Sequence, residues 1–392
     1  MLIFTKRTPK RKRYVLFTIK GKYADAKIFT TESRDTAIDQ YAVAQLQMLC
    51  DSPVSEGSKI RIMPDVHPGK ICTIGLTMTV GNNILPNLIG VDIGCGITVT
   101  KLNKARMDFR KLDVVIRDHV PAGFAIRDKA LERALEFELS RLHCAAHIQN
   151  DKAQRSLGTL GSGNHFIEID RDDDGSYYLV VHTGSRHLGQ EITEHYLKKG
   201  AEIIAERGET VPYELTYLEG RLFNEYLHDL MVACEYADLN RSLIIKEILK
   251  GMKWKSGEML SVRHNYISEG SEGLLLRKGA ISAHEGEPVV IPINMKDGVI
   301  LGTGLGNEDW NCSAPHGSGR LIRRDEVKNS HSVAEFRSAM KDVYSSCIGA
   351  DTLDEAPFAY RDIEEITAAI QDTVKIDRII RPVYSFKAGN RK

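Results

Sequence analysis

Several common signatures are missing from this 392-residue sequence, and each absence removes a class of protein. Basic and acidic residues number 53 each, so the formal net charge is zero and no global field attracts nucleic acid. The seven cysteines are scattered without a CxxC pair, which argues against a disulfide framework and against a zinc ribbon. Neither the Walker A motif nor the HExxH zinc motif occurs. Any nucleotide or metal site must therefore be built in another way.

Long apolar segments are also missing. The longest uncharged stretch, residues 71–91, is interrupted by glycine, asparagine and proline, which favours two buried strands and a turn over a membrane helix. The N-terminus lacks the apolar core and small-residue cleavage site of a signal peptide. We therefore expect a cytoplasmic protein without membrane attachment. Because nothing in the chain demands a dimer interface, we expect a monomer.

The clearest local charge is a basic run, Lys6–Arg13, which contains three lysines and three arginines. Residues 1–13 are expected to form a basic N-terminal arm. Two roles are open for it: a solvated, frayed terminus, or an arm that contacts RNA.

Hydrophobic periodicity predicts a mixed α+β chain without internal repeats or linkers, and hence one large domain over residues 1–392. Strands or β-rich segments are predicted at 14–30, 59–63, 71–101, 156–169, 177–189, 258–305 and 378–387. Helices are predicted at 35–50, 122–149, 214–252 (one helix or a helical hairpin) and 361–373. The apolar stripe within 214–252 is interpreted as core.

A glycine-rich turn, Gly90–Gly96, carries a carboxylate and a thiol three residues apart, Asp92 and Cys95. Glycine lets the backbone approach a bound group closely. Oxygen and sulfur from one short segment can offer a divalent metal two types of ligand. The turn alone is a weak indication of a metal site.

Three histidines, His165, His182 and His264, lie in other segments rich in glycine, asparagine or serine. Together with Asp92 and Cys95 they could hold one or two divalent cations from separated strands. Zinc is the default for cysteine and histidine ligands, while manganese or iron fits once a carboxylate and open positions are included. The alternative is that each histidine is a satisfied turn residue.

A fifth segment, Ala314–Arg320, differs because His316 is followed by a glycine turn and by Arg320. Exposed backbone N–H groups and an arginine suit a phosphate. A histidine beside a bound phosphate could act as an acid or base, or as a nucleophile that accepts the phosphate.

Together these segments closely resemble the RtcB family of RNA-splicing ligases. They run in the family's order across about residues 59–387. The resemblance implies an RtcB-like α+β domain in which β-sheets surround a central metal and nucleotide cleft and helices flank it. The matching segments are Met63–Gly69, Ile89–Gly96, Leu160–Glu168, Val181–Arg186, His264–Tyr266, Arg277–Ala280, Gly304–Asn307, Pro315–Arg320, Asp354–Tyr360 and Arg381–Lys387.

The resemblance implies a ligase that joins an RNA 3′-phosphate or 2′,3′-cyclic phosphate to a 5′-hydroxyl, using GTP and Mn²⁺. It implies two Mn²⁺ ions that share Cys95. One ion would also be held by His165 and His182, and the other by Asp92 and His264.

The resemblance also implies that His316 accepts GMP from GTP and holds it as a phosphoramidate. The GMP would then pass to the RNA 3′-phosphate, and the 5′-hydroxyl would displace it. Arg186 and Arg320 match arginines suited to phosphate, and we expect both to be catalytic. The expected guanylate contacts, besides His316, are Asn164, Glu168, Asn294, Met295, Gly317, Ser318, Gly319, Tyr360 and Lys387.

The sequence departs from the family at some points. The family's Gly-Ser/Thr-Met-Gly loop reads Ile293–Lys296 here, without either glycine. Such changes suggest a divergent branch, with repair of cleaved RNA as a hypothesis beside tRNA splicing.

Three other functions stay open on the sequence. The first is a guanylyltransferase that caps 3′-phosphate ends without efficient joining, and the second is a metal-dependent phosphoesterase. The third, a catalytically silent RNA-binding protein, is disfavoured because the metal and nucleophile positions are filled. The expected partners are RNA with the ends named above and an archease-like activator.

Overall fold

The computed structural model describes residues 2–4, 14–31, 38–270 and 273–389. In chain order, its strands are β1 Leu2–Phe4, β2 Tyr14–Lys20, β3 Asp25–Thr31, β4 Ile60–His67, β5 Ile74–Val80, β6 Asn83–Ile84, β7 Gly96–Asn103, β8 Phe166–Arg171, β9 Tyr177–Thr183, β10 Leu218–Glu219, β11 Lys255–Arg263, β12 Asn265–Gly270, β13 Gly273–Lys278, β14 Ala280–Ser282, β15 Pro288–Asn294, β16 Gly298–Gly304, β17 Ser313–Pro315 and β18 Val374–Phe386. Its α-helices are α1 Gln40–Cys50, α2 Pro86–Ile89, α3 Phe109–His119, α4 Glu132–Leu135, α5 Asn150–Ser156, α6 Arg186–Glu206, α7 Gly220–Met252, α8 Arg324–Ser330, α9 Val333–Ala339 and α10 Ile363–Ala369. This mixture of sheets and helices confirms the α+β class.

The first sheet has seven strands in the order β1-β2-β3-β4-β5-β13-β12. Its pairs are antiparallel except for β3 and β4, which are parallel. In β4 and β5 the alternating apolar residues face the same side, because Ile60 pairs with Met78 and Ile62 with Leu76. These four side chains are buried in one core with Leu46 of α1.

The second sheet is antiparallel throughout, in the order β11-β7-β9-β8-β18-β16-β15. Ile167 of β8 pairs with Val181 of β9, and both face a core that contains Ile116 of α3 and Ile248 of α7. The 33-residue α7 reaches both cores, since Leu230 packs in the first and Ile248 in the second. The apolar stripe predicted within 214–252 is therefore core, as expected.

The topology brings the predicted site residues to one place. Cys95 immediately precedes β7, His165 immediately precedes β8 and His182 lies one residue from the end of β9. His264 lies between β11 and β12, and His316 follows β17. Since β11-β7-β9-β8 are adjacent in the second sheet, four of these residues meet at its edge.

The helix predicted over 122–149 is wrong. Only α4 is α-helical there, and two short 3₁₀ turns, Leu139–Arg141 and Ala145–His147, follow it. Leu139 and Ile148 are both buried. Tertiary packing has therefore overridden the helix propensity of this Ala-, Leu- and Glu-rich segment.

Several boundaries also differ from prediction. The helix predicted at 35–50 begins at Gln40, where the Asp39 side chain caps it by accepting from the backbone N–H of Tyr41. The segment 177–189 was predicted to be β-like throughout. Its strand ends at Thr183, and helix α6 begins at Arg186. The long helix is a single helix that begins at Gly220, without a hairpin.

The N-terminal arm is only partly described. Residues 2–4 form β1 and pair with Phe17–Ile19 of β2, so this part belongs to the sheet and is no free arm. The basic run Lys6–Arg13 lies outside the described residues. Among the residues described, no helix is both long and apolar enough to cross a membrane.

Candidate functional site

The turn that carries Asp92 and Cys95 is fixed by the long helix α7. Gly94 has φ +69°, and a Cβ at this position would lie 2.8 Å from the Cα of Cys234 in α7, so only glycine fits. The fully buried Arg241 of α7 donates to the carbonyl oxygens of Gly94 (2.9 Å) and Thr183 (2.7 Å). One guanidinium thus joins the turn before β7 to the end of β9.

The five predicted ligands form two groups that share Cys95. In the first group Cys95 lies with His182 and His264, and in the second with Asp92 and His165. Within each group one ligand atom per residue lies within 4.8 Å of the others. The Cys95 Sγ is 3.3 Å from His182 Nε2 and 3.6 Å from His165 Nε2.

This division differs from the one implied by the family resemblance. His165 was expected to share an ion with His182, and Asp92 with His264. In the structure His165 Nε2 lies 3.1 Å from Asp92 Oδ2, whereas His264 Nε2 lies 3.4 Å from His182 Nε2. Asp92 therefore belongs with His165, and His264 with His182.

Hydrogen bonds fix which nitrogen of two histidines faces the shared thiol. His165 Nδ1 lies 2.9 Å from the Leu160 carbonyl oxygen, and His182 Nδ1 lies 3.1 Å from that of Asn164. A carbonyl only accepts, so each Nδ1 carries a proton, and each Nε2 faces Cys95 as the nitrogen left to bind a metal. This is the tautomer a metal ligand needs.

Burial sets the charge of these groups in the absence of a cation. It lowers the pKa of His182 and of His264 well below the usual value, so both rings are neutral. Burial and the neighbouring Asp92 raise the pKa of the Cys95 thiol. Burial by itself would raise the pKa of Asp92. The hydrogen bond and the charge of His165 have the larger effect, and the pKa of Asp92 is lowered. A carboxylate, a thiol and three imidazoles fit a divalent cation, which would itself deprotonate the thiol.

Arg186 lies on the carboxylate side of this cluster. It is the first residue of α6, has φ +55°, and its charge helps to lower the pKa of Asp92. Its Nε donates to Thr159 Oγ1 (3.3 Å) and its guanidinium fills the space beside Gly161. Arg186 does not line the cleft described next.

A cleft of about 670 Å³, partly open to solvent, lies beside the cluster. The predicted Arg320 lines it, as do six residues that were not assigned to the site from the sequence. All predicted guanylate contacts lie in its wall: Asn164, Glu168, Asn294, Met295, His316, Gly317, Ser318, Gly319, Tyr360 and Lys387. The additional residues are His67, Phe166, Pro292, Ile293, Arg324 and Glu355.

His316 stands between the cleft and the ligand cluster. Its ring lies 4.8 Å from that of His264, centroid to centroid. Its Nδ1 is 2.7 Å from Oδ2 of the fully buried Asp65 in β4. Because a carboxylate only accepts, Nδ1 donates, and Nε2 keeps the lone pair that a nucleophile needs.

Asp65 and His67 were within a matching segment, Met63–Gly69, but received no role from the sequence. His67 Nδ1 lies 2.9 Å from the Asp65 carbonyl oxygen, and burial lowers the pKa of His67 to about 4. The signal that could have found Asp65 is that it is the one acidic residue in β4 and lies between apolar neighbours, Pro64 and Val66.

Glu355 organises one end of the cleft. Its Oε2 accepts from Lys387 Nζ (2.8 Å) and from the Tyr360 hydroxyl (2.6 Å), and Arg320 donates to that hydroxyl (3.0 Å). Burial by itself would raise the pKa of Glu355, but the charges of Lys387, Arg324 and Arg320 lower this pKa to about 2. Lys387, expected to contact guanine, is thus held by a carboxylate that the sequence did not indicate.

Glu168 lies on the β8 side of the same cleft. Its Oε1 accepts from Ser385 Oγ (2.8 Å). Burial raises the pKa of Glu168 to about 7, although Ser385 and Lys387 act in the opposite direction. Glu168 is thus poised to change charge near neutral pH.

Comparison with known proteins identifies the family. The family model for tRNA-splicing ligase RtcB matches residues 45–388. RNA-splicing ligase RtcB1 of Escherichia coli strain ATCC 25922 is 32% identical over 84% of this chain and 90% of its own length. RNA-splicing ligase RtcB of Escherichia coli K12 is 31% identical with the same coverage, and tRNA-splicing ligase RtcB of Aeropyrum pernix is 26% identical over 82% of this chain and 86% of its own. The chain belongs to the RtcB family of tRNA-splicing ligases.

Proposed function

We propose that this protein is a GTP- and Mn²⁺-dependent RNA ligase that acts in RNA repair or tRNA splicing. It joins RNA 3′-phosphate or 2′,3′-cyclic phosphate ends to 5′-hydroxyl ends. Membership of the family supports the ligase class. The observation that carries the chemistry is the position of His316, whose Nδ1 is bonded to Asp65 while its ring lies between the cleft and the histidine–cysteine cluster.

In the first step His316 Nε2 attacks the α-phosphate of GTP. A P–N bond forms, the P–O bond to the leaving pyrophosphate breaks, and GMP is held on the histidine as a phosphoramidate. The attack places positive charge on the imidazole, and the Asp65 carboxylate at Nδ1 offsets it.

A 2′,3′-cyclic phosphate end is first opened by water, which breaks the bond from phosphorus to the 2′-oxygen and leaves a 3′-phosphate. In the second step an oxygen of the RNA 3′-phosphate attacks the phosphorus of the histidine-bound GMP, and the P–N bond breaks. The RNA then ends in a diphosphate linked to guanosine. In the third step the 5′-hydroxyl of the other RNA attacks the 3′-phosphorus, a phosphodiester forms and GMP leaves. Arg320, at the cleft wall, is suited to the phosphates of these steps, and Arg186 to phosphate on the carboxylate side of the cluster.

The two ligand groups would hold two Mn²⁺ ions, one by Asp92, Cys95 and His165 and the other by Cys95, His182 and His264. When bound, such ions supply positive charge that offsets the charge of the phosphates. Zn²⁺ generally binds such ligands more tightly than Mn²⁺, so we expect Zn²⁺ to inhibit.

Guanine recognition is assigned to the end of the cleft formed by Glu168 and Lys387. The Glu168 carboxylate would accept from the guanine N1–H and exocyclic amine, and Lys387 would donate to O6. Adenine presents neither the N1–H nor an O6, so this pair favours GTP over ATP.

The test is to incubate the protein with GTP, Mn²⁺ and 3′-phosphorylated RNA, with and without a second RNA that has a 5′-hydroxyl. The proposal predicts a joined product only when both RNAs are present, and none with ATP. Accumulation of a 3′-guanylated RNA without joining would instead identify an end-capping guanylyltransferase. Release of inorganic phosphate without GTP use would identify a phosphoesterase.

A further inference from the structure

A second groove continues from the cleft on the far side of His67. It shares His67, Arg320 and Arg324 with the cleft and extends past Arg323 and Arg361. Its space is about 1,230 Å³, partly open to solvent. We call it the arginine groove, because four arginines line it against two aspartates.

Two of the four arginines are already neutralised from within. Arg324 lies 2.7 Å from Asp354 Oδ2 and also pairs with Glu355, and Arg320 lies 3.4 Å from Glu355 Oε1. These two guanidinium groups have carboxylate partners, so they do not by themselves call for an external anion.

Arg323 is available to solvent. Its side chain is 59% exposed, and its contact with Asp325 is a loose 3.8 Å ion pair between exposed groups. Such surface pairs contribute little, so a phosphate could replace this partner at small cost.

Arg361 is buried and incompletely satisfied. Its side chain is only 5% exposed, and its Nε lies 3.3 Å from Glu365 Oε1 without the geometry of a hydrogen bond. Within the described part of the chain, its Nη1 has no hydrogen-bond partner. Arg361 Nη1 packs against Gly319, and Glu365 is the carboxylate partner of this guanidinium, so Arg361 supports the wall of the groove from within.

An exposed aromatic ring lies at the rim. Tyr41 lines the groove with 58% of its surface exposed, and its backbone is fixed because Asp39 Oδ1 accepts from its N–H (2.7 Å) in the first turn of α1. An exposed aromatic ring near an exposed arginine is a common element of sites for single-stranded nucleic acid, in which bases stack on the ring.

We propose that the arginine groove binds the single-stranded RNA whose terminal phosphate enters the cleft at His316. Tyr41 stacks on a base, and Arg323 contacts a backbone phosphate. Continuity with the cleft favours RNA over an acidic protein, because a strand lying in the groove ends at His67 beside the nucleophile. The inference rests on the proposed function and adds the path of the substrate.

The test is equilibrium binding of the full-length protein to a single-stranded RNA of about ten nucleotides, a length within the range of such sites. The RNA carries a 3′-phosphate and a 5′-fluorophore, so it cannot be joined, and fluorescence anisotropy reports the Kd. Tyr41→Ala should weaken binding about tenfold, whereas Tyr41→Phe, which keeps the ring, should restore it. The matched control is Tyr213→Ala, which removes a half-exposed tyrosine outside both cavities.

Arg323→Ala should lower the slope of log K against log salt by about 0.7, the value for one phosphate contact on a single strand. The matched control is Arg133→Ala, because Arg133 is 61% exposed and has an equally loose 3.8 Å pair with Glu136.

Labelling with α-³²P GTP in the absence of RNA separates the two proposals. If the protein forms no adduct, the proposed function fails. If it forms the adduct and joins RNA, but Tyr41→Ala and Arg323→Ala bind RNA like their controls, the groove assignment is overturned. Weaker RNA binding in these two variants with normal adduct formation would support it.

Discussion

The Asp65→Asn substitution tests the geometry at His316 with little change in shape. Asp65 is fully buried, its Oδ2 lies 2.7 Å from His316 Nδ1, and its Oδ1 has no hydrogen-bond partner among the described residues. Asparagine is nearly isosteric, so folding should be retained. However, its amide can donate to Nδ1, which would move the ring proton to Nε2 and remove the nucleophilic lone pair.

The size of the effect follows from two contributions. A hydrogen bond to a charged group contributes about 1.5–3 kcal/mol, so loss of orientation alone would slow guanylation about 10- to 100-fold. A wrong tautomer costs more, about 10⁴-fold for the equivalent aspartate of a Ser-His-Asp triad. We therefore expect about a 10³- to 10⁴-fold loss in Asp65→Asn, and a smaller loss in Asp65→Ala, in which the ring can choose its tautomer.

The assay is the single-turnover rate of GMP transfer from α-³²P GTP to the protein. Asp172→Asn is the control, because Asp172 is also a buried acceptor but lies in the turn between β8 and β9. Thermal unfolding of each variant would show that it is folded. An Asp65→Asn variant as fast as wild type, or faster than Asp65→Ala, would refute the assigned role of Nε2.

Three further predictions concern the metal ligands and the cleft. Cys95→Ala should lose both Mn²⁺ ions in metal analysis after equilibration, because Cys95 belongs to both groups. The control Cys50→Ala, in the core, should keep them. Retention of two ions in Cys95→Ala would contradict a shared thiolate. Burial raises the pKa of Glu168 to about 7, and only the ionised carboxylate offers two acceptor oxygens to the guanine N1–H and exocyclic amine. Guanosine affinity measured by calorimetry should therefore rise from below to above that pH, and Glu168→Gln should be weaker and flat with pH. Lys387→Met should lower the free energy of unfolding near neutral pH by less than the about 3–5 kcal/mol that breaking a buried pair costs, because Glu355 keeps Arg324 and Arg320 as partners. Because the pKa of Glu355 is lowered to about 2, the ionised Glu355 stabilises the fold above the usual pKa of a glutamate, and this stabilisation is lost as pH falls towards 2. Acid unfolding followed by circular dichroism should therefore begin at higher pH in Lys387→Met.

The residues that carry chemistry could be predicted because short segments contain them. Glycine, asparagine and serine around Cys95, His165 and His182 mark turns at strand ends, and the structure places all three at one edge of the second sheet. The long helix could also be predicted, since its apolar stripe keeps helical spacing over several turns.

Other features depend on packing that a linear sequence does not reveal. The division of ligands into two groups follows from which rings face each other, and Asp92 proved to face His165. Asp65 and Glu355 are distant in sequence from His316 and Lys387, and only the fold brings each carboxylate to its partner. The helix predicted at 122–149 failed because helix propensity there is weaker than the packing of individual side chains on the core.

The central claim is that His316 carries GMP during the reaction. Labelling with α-³²P GTP and Mn²⁺, followed by mapping of the labelled peptide, tests it most directly. We predict one adduct on His316 that is labile in acid and stable in alkali, as a phosphoramidate should be, and that is lost in His316→Ala. An adduct of unchanged yield in His316→Ala, or one mapped to another residue, would contradict the claim.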